Sequence, residues 1–286
     1  MSYTPVPASP VTILRYTAHL AKRLSANSIP KYLNIIRILH LEVALPDPLK
    51  NNWHLHTILK GIARVKGTMP NRKLPITPSI LLRIHAILDF TKILDCVFWA
   101  ICLTAFFAFL RKSNLLPPSA ITFDPDRHLC RSDFTLIRDG VQLQIRWSKT
   151  IQFAEKLLFV PLPYLPGHPL CPVSAIFKAF NKTRGAPPRG PAFVIPQRGG
   201  GWSPFPPLKF ITILRSHLSQ LGLQSKEYSG HSFQRGAASW ALASGLPGEI
   251  IKILGDWKSD AYLNYLSLDH NTKLHSIQQF ASGLPT

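Results

Sequence analysis

Apolar positions near the start of the chain recur at helical spacing. Ile13, Leu14, Ala18, Ala21 and Leu24 share one face, and Ser-Ala-Asn-Ser then breaks the pattern. Ser28 is placed to cap a second helix, with Pro30 in its first turn, where a missing N–H costs nothing. The apolar face of that helix reads Leu33, Ile36, Leu39 and Val43, and Leu45-Pro-Asp-Pro ends it. A third helix carries Leu55, Ile58, Leu59, Ile62 and Val65. The stretch Gly67–Pro78, GTMPNRKLPITP, has no stripe and is rich in proline and basic residues. It predicts an inter-domain linker over 69–78, between a small helical domain over 1–68 and a larger one over 79–286.

Thr77 or Ser79 starts the next helix, which runs through Leu88. The chain then reads ILDCVFWAICLTAFFAFL from Ile93 to Leu110. A membrane span needs about 20 apolar residues. Asp95 interrupts this run and leaves fifteen, Cys96 to Leu110, or about 22 Å at the helical rise. A helix buried on all sides is the expectation. Beyond Pro117-Pro118 the period changes to two. Phe134–Ile137 reads as a strand and Arg138-Asp139-Gly140 as a turn. Val141, Leu143, Ile145 and Trp147 then alternate with Gln142, Gln144 and Arg146, Ser148-Lys149-Thr150 begins another turn, and Leu157–Val160 is a third strand. Lys149 is thereby expected at a hairpin tip. Helices resume at Pro172–Phe180 and, after a Gly/Pro-rich loop over Arg184–Pro207, at Leu208–Leu221, His231–Ser244, Gly248–Leu254 and Ser259–Leu266. The fold class predicted is mainly α with one small antiparallel β-sheet.

Charge narrows the field of partners. Lys and Arg number 33 against 14 Asp and Glu, for a net charge of +19, of which residues up to Met69 carry +7. Such an excess attracts polyanions, which makes nucleic acid the expected partner and an anionic membrane surface the second. At 46% hydrophobic residues the chain has ample core material and is not a disordered polycation. On the first domain the polar faces hold Lys22, Arg23, Lys31, Arg37, Lys60, Arg64 and Lys66. The scarcity of acidic residues favours reading Lys31, Arg37, Lys60 and Arg64 as a phosphate-contacting surface over a merely solvated one. Cys96, Cys102, Cys130 and Cys171 form no CxxC pair and have no histidines at zinc-ligand spacing; His54 and His56 are expected at a solvated or core edge. A reduced compartment and no structural metal follow. The opening MSYTPVPASP lacks the basic and apolar regions of a signal peptide.

Chemistry concentrates in four words. They are AFLRKSNL at Ala108–Leu115, WSK at Trp147–Lys149, GHSFQRG at Gly230–Gly236 and GDWKSDAYLNYL at Gly255–Leu266. His231 and Arg235, four apart at a helix start, project from one face and can hold a phosphate from two sides. Gly230 permits close backbone approach before them, and Gly236 leaves room beside Arg235. In this order the four words resemble the catalytic domain of the tyrosine recombinases, the phage-integrase-like DNA breaking and rejoining enzymes. Within that family they look most like the eukaryotic transposon-borne branch, the DIRS-like and Crypton-like elements. The resemblance runs from about Val11 to Leu266, and the first segment is similar to the family's core-binding (SAM-like) domain, though short.

The resemblance implies a two-domain clamp on duplex DNA and assigns roles position by position. Arg111 matches the first catalytic arginine, Lys149 the catalytic lysine, and His231 with Arg235 the HxxR motif. Trp257 matches the position held by histidine or tryptophan, and Tyr265 the nucleophile. Each has a plainer rival: Arg111 as a cap to an apolar helix, Lys149 as an ordinary basic hairpin tip with Lys156 nearby, His231 as a capped core histidine. Trp257 can equally be a core aromatic, and Tyr262 shares a helical face with Tyr265. Asn114 departs from the family, which often carries an acidic residue three positions after the first arginine.

The function implied is DNA strand cleavage and rejoining through a 3′-phosphotyrosyl link, in recombination or integration of a mobile element. It would act in the nucleus, as a homo-multimer on double-stranded DNA, without cofactor and without a membrane. Leu268, Leu274, Ile277 and Phe280 would form a helix that docks on a neighbouring subunit or packs in cis. Three alternatives stand beside it: a domesticated or inactive derivative that binds DNA without cutting, a type IB topoisomerase, and a non-enzymatic RNA-binding protein.

Overall fold

The computed structural model describes residues 6–67, 72–147, 157–257 and 259–264, together with positions 266, 274, 277 and 278. The chain forms two compact units, Met1–Asn71 and Arg72–Thr286.

The first unit holds three helices: α1 (Pro10–Arg23), α2 (Ile29–Glu42) and α3 (Trp53–Lys66). The Ser9 hydroxyl caps α1 by accepting from Thr12 N at 3.1 Å, and the Asn52 carboxamide caps α3 by accepting from Leu55 N at 2.9 Å. Ser28 stands at the head of α2 but makes no cap hydrogen bond, because its backbone is already helical and its hydroxyl pairs with that of Ser25. Pro30 does lie in the first turn. The inward stripe of α2 is Ile29, Leu33, Ile36 and His40, stepping 4, 3 and 4, which tracks the 3.6-residue turn. The predicted Leu39 steps off that track and Val43 lies past the end of α2 as its C-cap, and both are exposed. His40 replaces them in the core, where its Nε2 accepts from Ala8 N and its Nδ1 hydrogen donates to Ile36 O, both at 2.8 Å. On the same logic Thr17 takes the inward position in α1 while Ala18 faces water, and Val65 at the end of α3 is exposed.

The second unit begins earlier than the predicted linker allows. Over 72–77 the chain is extended and bonded to the unit's own backbone, with Leu74 N donating to Glu227 O at 2.7 Å and Ile76 N to Ser232 O at 2.9 Å. Ile76 is fully buried. This segment is therefore core structure, and the Pro and basic composition that suggested a linker reflects its extended form. Thr77 caps α4 (Pro78–Ile87), its hydroxyl accepting from Ile80 N at 3.3 Å.

The centre of the unit is α5 (Ile93–Phe107), in which every residue from Cys96 to Phe106 is buried. It stops before the predicted Leu110, for a reason taken from the site below. A four-residue α6 (Lys112–Leu115) follows. Strands β1 (Phe134–Ile137), β2 (Gly140–Ile145) and β3 (Leu158–Pro163) make an antiparallel sheet in chain order, with Leu143 opposite both Phe134 and Val160. Val141, Leu143, Ile145, Val160 and Leu162 form its inward face, and the alternation ends at Ile145, short of Trp147. Then come α7 (Pro172–Lys182), packed along α5, and a small hairpin of β4 (Val194–Pro196) with β5 (Trp202–Pro204) inside the stretch expected to be loop. Helices α8 (Pro207–Gln220), α9 (His231–Ala243) and α10 (Gly248–Leu254) complete the core. The final predicted helix is a 3-10 turn, Asp260–Asn264.

All four cysteines are buried and free, and burial pushes the Cys102 thiol well above its ordinary range. Among the described residues no helix is long and apolar enough to cross a membrane, and no group of three His, Cys, Asp or Glu is gathered as a metal site would require.

Candidate active site

The site starts where α5 ends. Phe109 adopts φ 53°, a left-handed conformation that a bulky residue holds only where surrounding structure imposes it. The kink lets Leu110 N reach back to Ala105 O at 2.9 Å and closes the buried helix there. It also turns the Phe109 ring edge-on to Trp257, with centroids 6.3 Å apart. Arg111 emerges at the head of α6, half-buried, with its backbone N–H donating to the Asn114 carboxamide oxygen at 3.2 Å. Asn114, at the position where the family often carries an acidic residue, thus fixes by its carboxamide oxygen the turn that carries the arginine.

Trp257 is positioned by a second turn. After α10 the backbone passes through Gly255 and Asp256, the latter at φ 48°, and Trp257 N returns to Lys252 O at 3.1 Å. The indole lies directly against Gly255: a Cβ there would sit 1.7 Å from the ring. Trp257 is 8% exposed and tilted against Tyr262 at 6.1 Å, so it is a packed aromatic and also a wall of the site. That wall belongs to a cavity of about 300 Å³ lined by Arg111, Asn114, Trp147, Gln234, Asp256 and Trp257 among others. Three of the four sequence words meet at this cavity through their side chains at Arg111, Gln234 and Trp257, and the fourth through Trp147.

Lys149 and Tyr265 lie outside the described residues, as does Lys156. What is described flanks them. Trp147, after β2, and Leu158, opening β3, both line the cavity, so the connection that carries Lys149 leaves and returns at its rim. The 3-10 turn leading to Tyr265 packs on Trp257 through Tyr262. The hydroxyl of Tyr262 would lie 2.8 Å from a Cβ at Gly248, so this tyrosine is buried against the head of α10.

The GHSFQRG word needs a correction. An HxxR motif places its arginine three residues after the histidine; counted from His231 that residue is Gln234, and Arg235 is one further, about 100° around the helix. The structure follows the count. Gln234 is 5% exposed, lines the cavity, and accepts a hydrogen bond from Arg111 Nε at 3.0 Å, whereas Arg235 is half-buried and is not among the cavity's lining residues. Nor does Gly236 leave room beside Arg235, since a Cβ there would lie 1.8 Å from Ile76 O, so its bareness seats the 72–77 segment. At Gly230 the close neighbour is a side chain, the Lys112 stem, 2.8 Å from a would-be Cβ. His231 is exposed, and desolvation together with the positive charges of Arg111 and Lys112 holds its imidazole below the ordinary histidine range. It is neither a capped core residue nor a cation at neutral pH.

One support of the site was not legible in any word. Arg146, beside Trp147, makes a bidentate pair with Asp133, which is 4% exposed, and also donates to Pro125 O at 3.0 Å. Asp133 accepts in addition from Cys130 N at 2.8 Å. The root of the β2–β3 connection is thereby tied to the 125–133 segment.

In the first unit Lys31, Lys60 and Arg64 are exposed, as a phosphate-facing surface requires. Arg37 is committed elsewhere, with Nε on Asp47 at 2.9 Å and Nη1 on Asn34 at 3.2 Å.

This is the fold of the tyrosine recombinases and integrases. No family model matches the chain. In sequence it is similar to an integrase/recombinase xerD homolog of Selenomonas ruminantium, 25% identical over 243 residues, which span 83% of this chain and 67% of that protein. In structure it is similar to the XerH site-specific recombinase bound to palindromic difH substrate in a post-cleavage complex, with a TM-score of 0.62 at 12% identity, over 96% of this chain and 70% of that one. It is likewise similar to the Tn1549 transposon integrase in complex with circular intermediate DNA, with a TM-score of 0.54 at 11% identity, over 96% and 86%.

Proposed function

We propose that the chain cleaves and rejoins DNA strands in site-specific recombination or integration. The observation that carries this reading is the single cavity where Arg111, Gln234 and Trp257 converge between the two segments that lead to Lys149 and Tyr265. In the proposed reaction the Tyr265 oxygen attacks the scissile phosphorus, a P–O(tyrosine) bond forms, and the P–O5′ bond breaks. The tyrosine proton passes to His231, whose lowered affinity for protons leaves it neutral and able to accept at pH 7. Lys149 delivers a proton to the departing 5′-oxygen. The phosphotyrosyl link keeps the bond energy for rejoining, and reversal by another 5′-hydroxyl completes transfer. Arg111 spreads two or more donors over the non-bridging oxygens, and Trp257 adds its indole N–H.

The same proposal includes action on double-stranded DNA as a homo-multimer, membership of the eukaryotic DIRS-like or Crypton-like branch, and work in the nucleus. The wording of GHSFQRG and GDWKSDAYLNYL supports the branch, and the charge of +19 supports the duplex. One observation favours the non-cutting derivative: a neutral Gln234 stands where the HxxR count calls for an arginine. A nicked duplex that releases a short 5′ fragment after cleavage separates the two. Wild type is expected to accumulate a protein–DNA adduct and Tyr265→Phe none; retention of duplex binding with no adduct from wild type supports the derivative.

A further inference from the structure

We propose that Gln234, and not Arg235, is the second residue of the phosphate-binding pair, so that this chain grips the scissile phosphate with one guanidinium and one carboxamide. The inference rests on the cavity's being the phosphate site. Three observations carry it. Gln234 is a polar side chain buried to 5% exposure in the cavity wall, it is bonded to Arg111, and the residue expected in its place is not among the residues that line the cavity.

The hydrogen bond settles the orientation of the amide. A guanidinium has donors only, so the group facing Arg111 Nε at 3.0 Å must be the Gln234 oxygen, and the NH₂ must point away from that nitrogen. An arginine at 234 would set donor against donor there. The bond also decides how Arg111 is used. With Nε held, the plane of the guanidinium is fixed at the cavity wall, an orientation suited to meeting a phosphate edge-on. The Gln234 NH₂ then supplies a neutral donor to the same anion. A charge-assisted hydrogen bond is roughly twice as strong as a neutral one. The pair therefore binds phosphate more weakly than two arginines would, while holding the first arginine more rigidly.

Two measurements on the full chain test this. The first follows the Arg111 Nε–H resonance by ¹⁵N NMR. It is expected to be protected from exchange in wild type, Gln234→Glu and Arg235→Ala, and lost in Gln234→Ala. The second titrates inorganic phosphate against that resonance. Wild type shifts, and Gln234→Glu, which keeps the acceptor and the fold but brings a negative charge, loses the shift by tenfold or more in affinity. Gln234→Arg is expected to tighten phosphate binding, and on the nicked duplex Gln234→Ala to slow adduct formation more than Arg235→Ala does, by roughly 10- to 100-fold. A resonance indifferent to residue 234, or a phosphate response abolished by Arg235→Ala and untouched by Gln234→Glu, overturns the assignment. Absence of adduct from every protein, with the resonance behaving as described, instead contradicts the cleavage reading and leaves the pairing intact.

Discussion

Glycines show most directly how single residues hold the site together. Gly236 has the Ile76 carbonyl where a side chain would be, 1.8 Å from an ideal Cβ. Because the obstacle is backbone, it cannot swing aside, and Gly236→Ala is expected to destabilise the second unit by about 3 kcal/mol, read as a shift of the urea midpoint. Gly255→Ala strikes the Trp257 ring instead and is expected to move the indole, visible as a changed tryptophan emission, with adduct formation impaired at nearly unchanged stability of the remaining core. Asp133 is a different case. Removing one partner of a buried pair strands the other, so Asp133→Ala is expected to cost about 3–5 kcal/mol, with part recovered when Arg146 is replaced by Met in the same chain. Of these residues, Arg111 and Trp257 were legible as words of sequence. Gln234 was legible only by the strict HxxR count; helical spacing alone admits both it and Arg235 beside His231, and the bond that agrees with the count comes from a partner 123 residues away.

At the level of elements, what the sequence concealed follows one rule. Where a pattern is local it predicts well: the buried α5, the alternation along β2 and the boundaries of α10 all follow from neighbours a few residues apart. Where an element exists because of a distant partner it is missed. Leu74 and Ile76 are extended because Glu227 and Ser232 accept their N–H groups, and Val194–Pro196 is a strand because Trp202–Pro204 returns beside it across three glycines at positive φ. The α4–α5 junction offers a pH test of packing. His85 on α4 lies against Phe90 and Trp99, at 4.8 and 5.4 Å, and burial, reinforced by the Lys178 charge, holds its imidazole below the ordinary value of 6.5. The unfolded chain therefore binds the proton more readily than the folded one. The contribution of His85 to stability is full above about pH 6.5 and is lost as pH falls below it. Unfolding midpoints taken from pH 7.5 to 5 are expected to decline, and His85→Phe to flatten that slope.

For the whole molecule the excess of positive charge makes a claim separate from catalysis. With +19 distributed over both units, binding to duplex DNA is expected to weaken steeply as salt rises, and log affinity to fall linearly with log salt concentration. Lys60→Ala and Arg64→Ala are each expected to reduce that slope by about 1 and to weaken all sequences alike, as phosphate contacts do. Arg37→Ala is expected to change it less, since Arg37 already serves Asp47. Charge explains holding and is silent on cutting; the cavity around Arg111 is what turns a polyanion binder into a candidate enzyme. The most direct test of that step is to digest the adduct trapped on a nicked duplex and find, by mass spectrometry, which residue carries the nucleotide. The proposed chemistry places it on the peptide containing Tyr265, on the Tyr265 oxygen. A nucleotide on Tyr262 or on any serine, or no linked peptide from a chain that binds the duplex, contradicts it.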